Sequence, residues 1–244
     1  MTKNKITTID FHHPKGNCLP GSLLSRLTDA ITQAASDKNS VVIVLQSTGE
    51  GAFCAGASFD ELLSINDFEE SKQFFMGFAH VINAMRTCPK FIITRVQGKA
   101  IGGGVGIIAA SDYAFANPSA SIRLSEISMG IGPFVVGPAV RHKIGTSSLS
   151  TLALDARSWY SAKWAMSKGL YSKVISPNEE LDKAVSQLAE ELASSNPEAM
   201  KELKEILWQG TGHWESTLDQ RAEISGRLAL SDFTKEYIEE FKKK

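Results

Sequence analysis

Three glycines in a row, Gly102-Gly103-Gly104, stand between Lys90-Phe91-Ile92-Ile93-Thr94-Arg95-Val96 and Val105-Gly106-Ile107-Ile108-Ala109-Ala110. The first run reads as a strand and the second as a buried helix. Glycines at a helix start let another group approach the backbone closely, because no Cβ stands in the way. The first N–H groups of a helix have no partner within it, and its dipole favours negative charge there. A phosphate, a carboxylate or an oxyanion that develops during a reaction suits such a place. A second glycine turn, Gly49-Glu50-Gly51-Ala52-Phe53-Cys54-Ala55-Gly56-Ala57-Ser58, follows the apolar run Val41-Val42-Ile43-Val44-Leu45. On residue type alone, either turn could serve only to pack a strand tightly against a helix.

Other chemistry is thinly represented. The five histidines form no pair at metal-binding spacing, so no metal site is expected. Cys18, Cys54 and Cys88 are odd in number and far apart, as expected of reduced thiols in an intracellular, cytoplasmic protein. A net charge of −1 argues against nucleic acid or an acidic membrane as the main partner. Met1-Thr2-Lys3-Asn4-Lys5 does not open like a signal peptide, and no apolar run approaches the ~20 residues of a membrane span. With 244 residues, 43% hydrophobic and 22% charged, the chain suits one good core with at most a small appendage.

The elements that must position the turns alternate. Ile6 to Phe11 reads as a strand, and Ser22 can cap a helix carrying Leu23, Leu24, Leu27, Ile31 and Ala34 at helical spacing. Asp67 with Glu70 resembles a capping box opening a helix to about Arg86, with Phe75, Phe78, Ile82 and Met85 as its inner stripe. Strands are expected at 112–116 and 121–124, which continues a β/α alternation. Beyond about Thr146 only Tyr171 to Ile175 looks extended. Asn196-Pro197-Glu198 reads as an N-cap, a first-turn proline and a first-turn acid. The tail has too few inward apolar positions for a core of its own. It should pack on the body or on a neighbouring subunit, which suggests a division into 1–190 and 191–244.

Gly51-Ala52-Phe53-Cys54-Ala55-Gly56-Ala57 is similar to the "AFxAGAD" turn of the crotonase (enoyl-CoA hydratase/isomerase) superfamily. Gly98-Lys99-Ala100-Ile101-Gly102-Gly103-Gly104 resembles its "GxAxGGG" turn, and Ser111-Asp112-Tyr113-Ala114-Phe115-Ala116 its "CDxxxA" strand. The resemblance spans nearly the whole chain. It implies an α/β fold: a ββα spiral with two roughly perpendicular sheets (1–190) and a C-terminal helical region (191–244). It implies an acyl-CoA substrate, no cofactor beyond the CoA carried by that substrate, and a homotrimer or hexamer. It also implies that the N–H groups of Ala57 and Gly103 form an oxyanion hole for the thioester oxygen. Around them, Ala55, Gly56, Ser58 and Gly102 would contact the substrate.

Hydratases of the superfamily carry two glutamates, at positions that here hold Gly106 and Glu126. Adding water across a double bond is easiest with two such groups, whereas moving the bond needs one base that takes a proton and returns it two carbons away. The superfamily's enoyl-CoA isomerases keep an acid at the Glu126 position alone. Glu126 is therefore expected to be the base of an isomerase, with an enoyl-CoA hydratase, decarboxylase or lyase as the alternative. Its setting, Ile122-Arg123-Leu124-Ser125-Glu126-Ile127-Ser128-Met129, is mostly apolar and would raise its pKa. Ser58 replaces the usual aspartate but can still cap the next helix. Gly132-Pro133-Phe134-Val135-Val136-Gly137-Pro138 replaces a glycine-rich segment, so Phe134 should reshape the acyl end of the pocket. His142 and His213 are lone candidates for further acid/base work. Two remoter readings stay open: a non-catalytic subunit of the same fold, and an NAD-dependent oxidoreductase, for which Gly104-Val105-Gly106-Ile107-Ile108-Ala109 fits GxGxxA.

Overall fold

A computed structural model describes residues 2–243. Its main sheet runs β1 (Thr2–Lys3), β2 (Ile6–Phe11), β3 (Val42–Ser47), β4 (Phe91–Val96), β6 (Tyr113–Ala116) and β8 (Lys173–Val174). Only β1 is antiparallel to its neighbour. The remaining strands, β5 (Ala100–Ile101) and β7 (Ile122–Arg123), form a small parallel sheet. Parallel strands need helical crossovers, and those helices cover both sheet faces. On one face Ile43, Leu45 and Ile92 pack with α1 (Gly21–Ser36) and α3 (Phe68–Thr87) in the main core. On the other, Val42, Val44, Ile93 and Phe115 meet Leu181, Val185 and Ala189 of α7 (Asn178–Ala193). Residues 41–45 are apolar without alternation for this reason.

Two ββα turns follow one another. β4 leads through β5 into α4 (Gly103–Ala110), and β6 leads through β7 and a 3₁₀ turn, Glu126–Met129, into α5 (Gly137–Leu154). Single bridges, Cys54↔Ala100 and Ile122↔Tyr160, extend the small sheet on either side. Through the first of these the two glycine turns meet: Cys54 N–H donates to Lys99 O (3.2 Å) and Cys54 O accepts from Ile101 N–H (2.9 Å). They pass so closely that a Cβ on Gly98 would lie 2.1 Å from the Gly51 carbonyl oxygen.

Asp67, Asn196 and Ser58 cap α3, α8 (Pro197–Leu207) and α2 (Phe59–Ser64) with their side chains. Ser22 does not cap α1. That helix starts at Gly21, whose N–H donates to Glu61 Oε2 of α2 at 2.8 Å. A carboxylate brought by the fold has displaced the local hydroxyl, and it also suits the positive helix end. After α6 (Ala162–Ser167) and α7, helices α8, α9 (Trp214–Ala229) and α10 (Asp232–Lys242) pack on the body. α9 lies along α3, where Ser71 Oγ donates to Gly226 O at 2.9 Å and Lys72 pairs with Asp219 at 3.0 Å. α8 is anchored by Lys204, only 2% exposed, whose ammonium reaches Asp112 Oδ2 (2.9 Å), Lys90 O (2.8 Å) and Met85 O (3.0 Å). Trp208 Nε1–H donates to the other oxygen of Asp112 at 2.8 Å.

Candidate active site

The Ala57 backbone sits in an isolated parallel bridge to Leu19. Leu19 N–H donates to Gly56 O (2.8 Å) and Ser58 N–H donates to Leu19 O (3.4 Å). Both bonds flank Ala57, so its own N–H points the other way. Gly56 has φ +92°, a conformation costly for any residue with a Cβ. Gly103 is the first residue of α4, after Gly102 at φ +51°. Gly102 N–H donates to Arg123 O at 3.0 Å, and Gly102 O accepts the Gly106 N–H at 3.1 Å. The N–H groups of Ala57 and Gly103 have no acceptor among the described residues. Both residues line the same cavity, of about 370 Å³.

Glu126 opens the 3₁₀ turn after β7, and its carboxyl lies beside Gly102. Its Oε1 is 2.9 Å from where a Gly102 Cβ would stand. Oε2 is buried and makes no hydrogen bond among the described residues. Burial pushes the acid up to about 7, opposed by a backbone hydrogen bond and by the nearby Arg123 charge. A carboxyl at that value is divided between acid and base near neutral pH, as a proton shuttle requires. The Arg123 guanidinium lies over Trp159, 4.7 Å from the ring centroid.

The cavity gathers the site residues that the resemblance implies: Ala55, Gly56, Ala57, Ser58, Gly102, Gly103, Glu126 and Phe134. Its apolar wall includes Phe75, Phe78, Met129 and Ile131. Residues from opposite ends of the chain complete it, among them Lys242, one of the tail lysines that the sequence offers, with Lys243, as possible partners of CoA phosphates. Lys15 and Asp60 form an ion pair, and Lys242 of α10 reaches Asp60 from the other side at 2.6 Å. Phe241 meets Phe59 edge-on, with centroids 5.4 Å apart. These contacts join α10 to α2 over the cavity, and no local pattern in either helix announces them.

His142 and His213 lie elsewhere, on a second cleft beside Trp214. His142 stacks on Trp208 at 4.9 Å and its Nε2 lies 3.1 Å from Leu207 O. The GxGxxA spacing falls inside α4, not in a turn before it. There Gly104 meets Cys54, where a Cβ would come within 2.6 Å of the Cys54 Cβ. Gly106 meets Val136, whose Cγ1 would be 2.5 Å from a Cβ. These glycines serve helix packing and offer no phosphate turn.

The enoyl-CoA hydratase/isomerase family pattern matches residues 1–243. The chain belongs to that family. Members of this crotonase superfamily similar to it include a probable enoyl-CoA hydratase of Bacillus subtilis, 27% identical over 242 residues that cover 98% of this chain and 93% of that protein. The human mitochondrial methylglutaconyl-CoA hydratase is 32% identical over 80% of this chain and 58% of its own. A peroxisomal Δ(3,5)-Δ(2,4)-dienoyl-CoA isomerase of Arabidopsis thaliana is 29% identical over 83% and 77%. In fold, the chain superposes on an enoyl-CoA hydratase crystal structure from Bacillus halodurans with a TM-score of 0.90, covering 98% of both chains at 22% identity. The crotonase fold expected from the glycine turns is therefore the fold observed, and the chain is an enzyme of the hydratase/isomerase type.

Proposed function

We propose that this crotonase moves a double bond in an acyl-CoA thioester from the β,γ to the α,β position, with Glu126 as the only proton shuttle. The Glu126 carboxylate takes a proton from the carbon next to the thioester carbonyl. The electron pair moves onto the thioester oxygen, where the N–H groups of Ala57 and Gly103 receive the negative charge. Two preset donors in a dry site stabilise such an oxyanion, each by about 3 kcal/mol. The Glu126 carboxylic acid then returns its proton to the γ-carbon. The dienolate collapses to the conjugated thioester, and no atom is gained or lost. Ala55, Gly56, Ser58, Gly102 and Phe134 shape the cavity around this path.

One observation carries the choice of reaction. The place of a second carboxylate is Gly106, and Val136 fills the space its side chain would need. The other carboxylate on the cavity, Asp60, is held by Lys15 and Lys242. Among the described residues that line the cavity, no second free carboxylate stands ready for water. The rival reading, hydration of a 2-enoyl thioester, is favoured by the names of relatives such as the Bacillus subtilis protein. Rates on 3-enoyl- and 2-enoyl-CoA of equal chain length decide between them, and hydration faster than isomerisation would overturn the proposal. We further propose a cytoplasmic homotrimer or hexamer, to be checked by light scattering; the three free thiols suit a reducing compartment.

A further inference from the structure

The catalytic cavity and the second cleft are neighbours, and Pro133 and Phe134 line both of them. The cleft is larger, about 790 Å³, and polar groups such as Arg141, His213 and Arg221 border it. Of the two shared residues, Phe134 carries the larger side chain to set against a substrate chain that grows from the cavity toward the cleft. The Phe134 backbone is fixed by hydrogen bonds and its ring rests on a glycine. Phe134 N–H donates to Gly132 O at 2.7 Å, closing a three-residue turn. The ring then folds back over Gly132, where a Cβ would come within 2.5 Å of its Cζ. Gly137 N–H donates to Pro133 O at 2.8 Å and ties the same turn to the start of α5. A side chain placed by its own backbone turn, by a glycine seat and by a helix start is a fixed wall.

We infer that Phe134 is the chain-length stop of this enzyme: it closes the acyl end of the cavity and restricts the substrates to short acyl thioesters. The inference rests on the acyl-CoA reading of the cavity, but not on which reaction occurs there. A preformed wall discriminates by rejecting carbons beyond it. Each methylene it refuses should cost on the order of tenfold in kcat/KM. Removing the ring would join the cavity to the cleft and give a longer chain somewhere to go.

The test compares the purified wild type with Phe134→Ala and the milder Phe134→Leu, which keeps an apolar side chain should the alanine variant fail to fold. Saturated acyl-CoAs from butyryl to dodecanoyl are titrated by calorimetry, and enoyl-CoAs of the same lengths are turned over. The expected result is a steep loss of affinity with chain length in the wild type. The ratio of long-chain to short-chain affinity, and of kcat/KM, should rise at least tenfold in Phe134→Ala and less in Phe134→Leu. Coincident chain-length profiles of wild type and variants would overturn the inference while leaving the acyl-CoA reading intact. No saturable binding of any acyl-CoA by the wild type would remove both. Because binding is measured without chemistry, an error about isomerisation does not enter.

Discussion

A carboxyl group in an apolar niche links activity to stability through one proton. The pKa of Glu126 is raised from 4.5 to about 7, and the group is a base only when ionised. Activity at limiting substrate should therefore climb with pH through about 7 and level off above it. Glu126→Gln should lower turnover by two or more decades while binding of a saturated acyl-CoA persists; turnover within a few-fold of wild type would remove Glu126 from its role. The same burial acts on folding. Below about pH 4.5 the carboxyl is protonated in both folded and unfolded chains. As pH rises from there to about 7, the unfolded chain releases the proton and the folded chain keeps it, so the wild type loses stability across that window. The gap corresponds to ~3 kcal/mol. Glu126→Gln has nothing to ionise and should overtake the wild type in urea unfolding between pH 5 and pH 8. Parallel pH profiles would show that the carboxyl is not desolvated.

At the level of elements, α4 is buried on every side, and its glycines mark where neighbours press against it. Gly103 carries the ring of Phe78 on its Cα, Gly104 the Cys54 side chain and Gly106 the Val136 side chain. Gly106→Ala should destabilise by about 1–3 kcal/mol through overpacking, and Val136→Ala in the same chain should recover most of it. Additive costs in the double variant would mean the two positions do not share a space. Gly106→Glu alone is expected to fold poorly. Sequence reading goes far here and then stops for a physical reason. The turns and the place of Glu126 were legible through the resemblance, because glycine turns in order and at fixed spacing leave a pattern that can be matched. That Val136 occupies the niche of the missing acid was not, since a glycine records only that space was needed. Likewise Ser22 offered a local cap, but Glu61, 40 positions from Gly21, reached the helix end instead.

Over the whole molecule, charges hidden in the core fasten the helical tail. Asp112 accepts from the Ile92 N–H, the Lys204 ammonium and the Trp208 indole, which joins α8 and its C-cap to the start of β4. Lys204 and Asp112 are 92 positions apart, and on a helix face a lysine reads as solvated, so no local pattern hints at this pairing. Leaving one of two buried opposite charges alone is costly. Lys204→Met should lower unfolding stability by about 3–5 kcal/mol, with Lys204→Met/Asp112→Asn recovering part of the loss. A cost under 1 kcal/mol for Lys204→Met would show that the pair is not desolvated. The other end of the tail bears on how the protein is handled. Tyr237, Phe241 and Lys242 of α10 border the candidate active-site cavity, and Lys242 pairs with Asp60 there. A sequence fused behind α10 is therefore expected to start close to the cavity proposed to take the substrate. An affinity tag placed there would act as a plug of variable fit, and kinetic constants measured with it would describe the tag as much as the enzyme. Purification handles belong at the other terminus, where β1 is the exposed edge of the main sheet.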